Sequence, residues 1–196
     1  RNDMLFGPAG PVEDKVRELL HLPGDKRLAL YAPTFRRDMG FEAYDMDYAR
    51  VCRALGERFG GEWLILAKLH PNLAARAGEL SLDPEYVVNA SGYADIQELY
   101  LACGALITDY SSVMFDYMNT GRPCFLYVND LEAYRGDRNF YFDLDLLPFA
   151  RAETNDSLES AILSYDEAAQ LERTERFCKE LGIRENGTAA EQAADW

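Results

Sequence analysis

Short apolar segments alternate with amphipathic segments along the whole chain. Five apolar runs are short enough to be buried strands, and they cover residues 27–32, 62–69, 86–89, 105–108 and 124–127. Between these runs, apolar residues recur at intervals of three and four, which is the spacing of one helix face. This alternation predicts an α/β fold, a Rossmann-like mainly parallel sheet with helices on both of its faces.

Capping residues and glycines mark where the predicted helices begin and end. Pro11 opens the first predicted helix, which also carries His21, while Asp47 opens the second and Asp95 the third. The second helix is closed by residues 60–61, the Gly-Gly pair of the segment GERFGG. The chain has no G-x-G-x-x-G motif and no Walker loop, so classical dinucleotide binding and ATP hydrolysis are disfavoured.

The centre of the chain is typical of one strand–helix–strand unit. Ser111 and Ser112 follow the strand at residues 105–108 and are predicted to cap a helix that ends at residues 121–123. Unpaired N–H groups at a helix N-terminus bind phosphate, and ligands of open parallel sheets lie beyond the carboxyl ends of the strands. We therefore expect an anionic ligand near Ser111 and Ser112.

The last third of the chain is predicted to begin irregularly. After Tyr127 comes a long polar and aromatic stretch without a helix or strand pattern, and such a segment usually binds something or covers a site. Asn155 or Asp156 is expected to cap a helix, and a second helix is expected over residues 166–181. No internal repeat is visible, and we expect residues 1–196 to form one domain.

Composition and charge narrow the class of protein. Hydrophobic residues make up 48% and charged residues 28% of the 196 residues, as in ordinary globular proteins. A net charge of −14 makes nucleic acid and anionic lipid poor default partners, although a local basic pocket can still exist. No apolar run approaches the roughly 20 residues of a membrane helix, and no signal peptide is recognisable at the start.

Cysteine and histidine usage indicates a reducing, cytoplasmic compartment without a structural metal. The four cysteines are far apart and form no C-x-x-C pair, and three of them lie in apolar runs where a reduced thiol packs as a small hydrophobe. We therefore expect no disulfide partner. The chain has two histidines and no cluster of metal ligands, so no zinc site and no cofactor is expected.

Polar residues follow the first two predicted strands at their carboxyl ends. Thr34, Arg36 and Arg37 come after the first strand, either facing a ligand or forming a turn with solvated charges. Lys68 and His70 end the second strand, and their spacing of two predicts that they share one face. A lone histidine is more often structural than catalytic, and its position at a strand end favours the functional interpretation without deciding it.

Several longer motifs, taken in order, resemble one enzyme family. They are RND at residues 1–3, LYAPTFRRD at 30–38, KLHP at 68–71, ADIQELYLACGALITDYSSVMFDY at 94–117, GRPCFLY at 121–127, DLEAYR at 130–135 and FYFD at 140–143. Together they resemble the CDP-glycerol glycerophosphotransferase family, whose members prime or polymerise poly(glycerol phosphate) teichoic acids. The resemblance covers most of the chain, and its specific part is ITDYSS together with APTFR and KLHP.

The resemblance implies a two-part enzyme of which this chain is one part. Family members look like GT-B type glycosyltransferases, with an active site between two Rossmann-like halves, and this chain resembles the C-terminal, donor-binding half. The polar start of the chain, without a methionine, also looks cut from something longer. The implied reaction transfers glycerol phosphate from CDP-glycerol to a lipid-linked teichoic acid acceptor and releases CMP. The family's general base is a histidine of the other half, so this chain alone is expected to be inactive.

The resemblance also implies roles for particular residues. Ser111 and Ser112 would hold the pyrophosphate, although a serine pair at a helix start is more often only a cap. Asp116 would accept hydrogen bonds from donor hydroxyls, or would merely complement the helix dipole. Lys68 and His70 would act catalytically by neutralising charge on the transferring phosphoryl group and on CMP. The remaining residues expected to contact CDP-glycerol are Arg1, Pro33 and Thr34.

Other interpretations remain open at the level of the sequence. Enzymes that use CDP-ribitol share these motifs, and a non-catalytic binding module could keep the same fold. Mg²⁺ often accompanies pyrophosphate, and Asp109 and Asp116 are the nearby carboxylates, but their spacing does not require a metal. A lipid-linked acceptor implies that the full enzyme is peripheral at the inner face of the cell membrane.

Overall fold

Six strands pair side by side in the order β3-β2-β1-β4-β5-β6. The computed structural model describes residues 2–36, 44–70, 82–137 and 143–194, and every pairing within these ranges is parallel. The strands are β1 (Arg27–Tyr31), β2 (Trp63–Ala67), β3 (Val87–Asn89), β4 (Ala105–Thr108), β5 (Cys124–Tyr127) and β6 (Ala150–Ala152). The first five correspond to the five apolar runs, so the predicted Rossmann-like parallel sheet is confirmed.

Eight α-helices lie within the described residues. They are α1 (Gly10–Leu19), α2 (Tyr48–Phe59), α3 (Ile96–Ala102), α4 (Val113–Tyr117), α5 (Leu131–Asp137), α6 (Asn155–Leu163), α7 (Glu167–Leu181) and α8 (Ala189–Ala194). The predicted caps of α2 and α3 are confirmed, because the Asp47 carboxylate accepts from the Arg50 N–H and the Asp95 carboxylate from the Gln97 N–H. Gly60 ends α2 with a φ of 78°, a left-handed conformation that favours glycine.

Three local predictions differ from the structure. The stretch after Tyr127 contains α5 and later β6, which is too short and too polar to stand out as an apolar run. The cap of α6 is Thr154, whose hydroxyl accepts from the Ser157 N–H in a capping box, rather than Asn155 or Asp156. His21 lies beyond the end of α1 with a φ of 53°, so it is not a helix residue.

Two apolar cores cover the two faces of the sheet. Alternate strand residues point to opposite sides, so Leu30 and Leu66 pack with α1 and α3 while Ile65 and Ile107 pack with α2 and α6. Burial on both faces explains why the strands are continuous apolar runs. The predicted placement of helices on both faces is therefore confirmed.

The structure also bears on membrane helices and on the cysteines. No helix within the described residues is long and apolar enough to cross a membrane. The three cysteines predicted to pack in apolar runs are buried, and all four thiols are free. Burial raises the pKa of the Cys52 thiol to about 12 and also raises that of Cys124.

The order of the strands creates a crevice at one edge of the sheet. From β1 the chain continues to β2 and β3 on one side, and it then crosses over to β4 on the other side of β1. The loops that follow β1 and β4 therefore lead to opposite faces of the sheet, and ligands of open α/β sheets bind beyond the strand ends at such a position.

Candidate functional site

Loops from neighbouring strands meet at the carboxyl edge of the sheet. Residues 32–36 follow β1, residues 68–70 follow β2, residues 109–112 follow β4 and residues 128–130 follow β5. At the crevice, the Thr108 hydroxyl donates to the Ala32 carbonyl at 2.7 Å, which ties the ends of β1 and β4 together. The sequence motifs that are far apart in the chain are thus brought to one edge.

Asp109 is the centre of the hydrogen bonds between the β1 and β4 loops. Its carboxylate is 2% exposed and accepts from the Thr34 N–H at 2.8 Å and from the Thr34 hydroxyl at 2.7 Å. It also accepts from the Tyr110 N–H at 2.6 Å. Thr34 therefore directs both of its hydrogen-bond donors toward Asp109, and its hydroxyl oxygen retains acceptor capacity.

Arg36 is buried rather than solvated, which corrects one of the two interpretations of the β1 loop. Its Nε and Nη2 donate to the two oxygens of Asp130 at 2.6 and 3.0 Å, and Nη2 also donates to Asp109 at 2.9 Å. Its Nη1 donates to the Thr34 carbonyl at 2.7 Å. Burial by itself lowers the pKa of Arg36, but the bonds and charges of Asp130 and Asp109 outweigh it and the pKa is raised.

Two stacked aromatic rings lie beside this ion-pair network. Tyr110 and Tyr134 stack with their centroids 3.8 Å apart, and the Arg36 guanidinium carbon lies 5.1 and 5.0 Å from the two rings. The Tyr110 hydroxyl donates to Asp130 at 3.0 Å. Burial, followed by the negative charge of Asp130, raises the pKa of Tyr110. The two rings lie beside the Arg36 guanidinium and contribute to its burial.

Lys68 follows β2 and has a different environment. Its ammonium group donates to the carbonyls of Ser91 at 2.8 Å and Tyr93 at 2.6 Å, in the loop after β3. No carboxylate within the described part of the chain forms an ion pair with it. Burial lowers the pKa of Lys68, because the half-buried ammonium group loses hydration. The positive charge of Lys68 is therefore held in place without being neutralised by a described carboxylate.

His70 is exposed and contacts the loop after β1. Its ring centroid lies 5.0 Å from that of Phe35, with the two ring planes 36° apart. The strand ends at Ala67, so the expected alternation does not extend to these residues. Lys68 contacts the loop after β3 and His70 contacts the loop after β1, and the predicted shared face stays a prediction.

Ser111 and Ser112 begin a helix of five residues. Ser112 occupies the N-cap position, but its side chain forms no capping hydrogen bond and is exposed. The Ser111 hydroxyl accepts from the Val113 N–H at a long 3.5 Å. The prediction that both hydroxyls cap the helix is therefore wrong for Ser112. Among the described residues, the Ser111 and Ser112 N–H groups donate to no partner.

Asp116 lines a small pocket beside Ser112. The Asn2 amide donates to Asp116 at 3.0 Å, and the Gln97 amide donates to Asn2 at 2.9 Å. The pocket has a volume of about 360 Å³ and is lined by Asn2, Ser112, Phe115, Asp116, Glu185 and Ala189. Asn2 belongs to the segment expected to reach the ligand and lines this pocket, while Arg1 itself lies outside the described residues.

Two expected features lie at least partly outside the described residues, and within those residues the carboxylates considered for Mg²⁺ have other roles or no metal-binding group around them. Arg37 and residues 140–142 of the FYFD motif lie outside the described residues. Asp109, one of the two carboxylates considered for Mg²⁺, has both oxygens engaged by protein donors. Within the described ranges, no group of three or more His, Cys, Asp or Glu side chains could hold a metal ion.

Sequence reasoning did not assign roles to Asp130, Tyr110, Tyr134 or Gln97. Their motifs, DLEAYR and ITDYSS among them, were visible in the chain. No local pattern indicates that Asp130 pairs with a residue 94 positions earlier, because that contact depends on the strand order. The missed residues are those whose partners lie on other strands.

Comparison with known proteins gives a consistent result. The family model described as CDP-Glycerol:Poly(glycerophosphate) glycerophosphotransferase matches residues 1–193. The teichoic acid poly(glycerol phosphate) polymerase of Bacillus subtilis is 38% identical over 149 residues, which cover 74% of this chain and 20% of that protein. The teichoic acid glycerol-phosphate transferase of Staphylococcus aureus is 32% identical over 200 residues, which cover 98% of this chain and 51% of that protein.

Solved structures lead to the same family. A variant of the wall teichoic acid polymerase TagF matches with a TM-score of 0.76 and 30% identity, over 99% of this chain and 49% of that one. A TagF variant soaked with CDPG matches with a TM-score of 0.74. This chain therefore spans between about a fifth and a half of the length of these relatives. It belongs to the CDP-glycerol:poly(glycerophosphate) glycerophosphotransferase family.

Proposed function

We propose that this chain is the donor-binding half of an enzyme that transfers glycerol phosphate from CDP-glycerol to a poly(glycerol phosphate) teichoic acid acceptor. The observation that carries the proposal is the meeting of the motifs APTFR, KLHP and TDYSS at one edge of the sheet, beside the strand crossover. The names of its relatives, teichoic acid polymerases and transferases, support the same reaction. Residues 1–196 act here as one Rossmann-like domain of a GT-B type enzyme.

The pyrophosphate of the donor lies between Lys68 and the start of α4. Lys68 supplies positive charge, and its loop is fixed by bonds to the Ser91 and Tyr93 carbonyls. Ser111 and Ser112 supply N–H groups without partners among the described residues, together with their hydroxyls. Because α4 is only five residues long, local N–H groups contribute more than a helix dipole does.

The other residues expected to contact CDP-glycerol surround this position. Asp116 accepts hydrogen bonds from donor hydroxyls in the pocket that it shares with Ser112. Pro33 and Thr34 form the wall of the crevice on the β1 side, where Thr34 offers its hydroxyl oxygen as an acceptor. Arg1 is expected to contribute a further positive charge from the segment that precedes Asn2.

The reaction is a displacement at the β-phosphorus of CDP-glycerol. A terminal hydroxyl oxygen of the acceptor forms a new bond to this phosphorus, and the bond to the bridging oxygen breaks, so CMP leaves with that oxygen. Lys68 and His70 neutralise charge on the transferring group and on CMP. The proton of the attacking hydroxyl passes to a base in the remainder of the full enzyme, so this chain alone is inactive.

A lipid-linked acceptor and a peripheral position at the inner face of the membrane belong to the full enzyme in this proposal. CDP-ribitol is the second candidate donor, since a teichoic acid poly(ribitol-phosphate) polymerase of Bacillus spizizenii is 31% identical over 204 residues. A competition series of CDP-glycerol against CDP-ribitol separates the two donors by their relative affinities.

Calorimetric titration with CDP-glycerol, CDP, CMP and UDP tests the proposal. We expect CDP compounds to bind more tightly than UDP, and His70→Ala and Ser112→Ala to weaken CDP-glycerol binding. Binding that both variants leave unchanged would contradict the position of the site. No binding to the full-length protein would favour a non-catalytic module, and turnover by this chain alone would contradict the assignment of the base to the other half.

A further inference from the structure

Arg36 stands out as a cation at the carboxyl edge that faces the protein rather than a ligand. It is 8% exposed, and four of its N–H groups donate to Asp130, Asp109 and the Thr34 carbonyl. A guanidinium has five N–H donors, so at most one remains. Two carboxylates face one positive charge, which leaves this group of three side chains with a net negative charge. A phosphate would not be attracted to it.

Arg36 and its two carboxylate partners come from three separate loops. Arg36 follows β1, Asp109 follows β4, and Asp130 lies between β5 and α5. A planar guanidinium holds two carboxylates in fixed directions, so this one side chain fixes the relative positions of the three loops. Tyr110, from the loop after β4, and Tyr134, from α5, lie beside the Arg36 guanidinium.

The same network includes or directly precedes residues that are proposed to bind CDP-glycerol. Asp109 accepts from both donors of Thr34, and it also accepts from the N–H of Tyr110, which is followed directly by Ser111 and Ser112. The position of Asp109 therefore determines where the Thr34 hydroxyl oxygen and the N–H groups of the serine pair lie. Arg36 in turn determines the position of Asp109.

We infer that Arg36 is a positioning residue, which holds the β1, β4 and β5 loops in the geometry that binds the donor without contacting the donor itself. This inference rests on the proposed function, because the ligand whose binding it affects is CDP-glycerol. It assigns Asp109 and Asp130 as the two anchors through which Arg36 acts. Thr34 is then held by Asp109 rather than donating to phosphate.

The test compares Arg36→Lys with a matched arginine at the opposite edge. Lysine keeps the positive charge but cannot reach both carboxylates with a planar fork. Arg122 lies just before β5 and donates to the carbonyls of Tyr100, Leu101 and Cys103, so Arg122→Lys also removes several bonds of an arginine. Unfolding midpoints are measured for both variants, and CDP-glycerol affinity is measured at a temperature where both are folded.

We expect Arg36→Lys to weaken CDP-glycerol binding by about tenfold, because binding must then restore a loop geometry that one lost charged hydrogen bond within the protein no longer holds. Arg122→Lys should change the affinity by less than about twofold. Amide hydrogen exchange without ligand gives a second readout, and the Thr34 N–H should exchange faster in Arg36→Lys than in the parent. Tyr110→Phe, which removes the bond to Asp130 but keeps the ring, should shift both readouts in the same direction and less.

The outcomes separate the two proposals. Unchanged affinity and unchanged exchange in Arg36→Lys would overturn the positioning role while leaving the proposed function in place. Equal loss of affinity in Arg122→Lys would also overturn it, because general destabilisation would then explain the loss. If the Thr34 N–H exchanges faster in Arg36→Lys than in the parent but the parent itself binds no CDP-glycerol, the positioning of the loops would be supported and the proposed function contradicted.

Discussion

Arg36 and Lys68 are two cations at the same edge of the sheet, and the protein treats them differently. Arg36 is paired with two carboxylates under a cover of aromatic rings. Lys68 is paired with two backbone carbonyls, which carry only partial charges, and burial lowers its pKa. The first charge is fully compensated inside the protein, whereas the second remains available to an anion.

This difference separates a cation whose charge is used within the fold from one that, in the proposed function, is used to bind the donor. A buried charge without a countercharge is costly, and a bound anion relieves part of that cost. The charge of Arg36 is already paired with Asp109 and Asp130, so a bound anion would add little stabilisation there. Lys68 is not paired with a carboxylate among the described residues, so a bound anion would stabilise its charge more. Each of the following predictions tests one side of the contrast.

The largest expected effect is on stability, from Arg36→Met. This change leaves the Asp109 and Asp130 carboxylates close together and unpaired, and breaking a buried ion pair costs about 3–5 kcal/mol of unfolding free energy. Arg176→Met is the control, because its pair with Glu172 is exposed and is worth about 0.5 kcal/mol or less. Urea denaturation measures both. Similar losses in the two variants would show that the Arg36 network is not a buried ion pair in solution.

Lys68→Met is expected to affect binding more than stability. Removing an unneutralised charge beside the proposed pyrophosphate position should weaken CDP-glycerol binding by about tenfold or more, the effect of one charge-assisted hydrogen bond. Lys26→Met is the matched control, since Lys26 also donates to a backbone carbonyl, that of Glu85, but precedes β1 at the opposite edge. Calorimetric titration measures the affinity of both variants for CDP-glycerol. Equal affinities would show that Lys68 does not bind the donor.

Raising the pH should weaken donor binding through Lys68. Because burial lowers its pKa below 10.5, Lys68 loses its charge at a lower pH than an exposed lysine does. CDP-glycerol affinity should therefore fall as the pH rises through this lowered pKa, and Lys68→Arg should remove that step because arginine stays charged. Titrations across the alkaline range measure it. A step that persists in Lys68→Arg would assign the titration to another group.

The lowered pKa of Lys68 has the opposite effect on stability, which should increase as the pH rises. The folded state binds the Lys68 proton more weakly than the unfolded state, so this group destabilises the fold at pH values below its folded-state pKa. The destabilisation disappears as the pH rises through that pKa toward 10.5. The unfolding free energy of Lys68→Met should lack this contribution, which a comparison of denaturation curves at two alkaline pH values reveals.

The smallest effect is expected from Ser112→Ala. Its hydroxyl makes no capping bond, so stability should be nearly unchanged, while CDP-glycerol binding weakens by about threefold, as for one neutral hydrogen bond. Ser157→Ala provides the opposite case, because Ser157 belongs to the capping box of α6 and its loss should cost about 1 kcal/mol of stability. A clear loss of stability in Ser112→Ala would mean that this hydroxyl caps α4 in solution.

Much of the fold could be predicted from local patterns. Strands such as β5 are buried on both faces and therefore appear as apolar runs, and Asp47 and Asp95 cap helices through bonds to residues two or three positions away. Local rules failed where the signal was short or ambiguous. The segment at α5 resembled a loop, and Ser112 resembled a cap although its hydroxyl forms no capping bond.

The sequence by itself determined the parallel α/β architecture, the family, and the loops in which Lys68, His70, Ser111 and Ser112 lie. It could do so because strand burial, helix capping and motif order are properties of short segments. Only the tertiary structure decided that Arg36 lies between Asp109 and Asp130, 73 and 94 residues away, and that Lys68 and His70 point to different loops. The physical reason is that charge compensation depends on which strands are neighbours, and the order of the strands is set by the packing of the whole sheet.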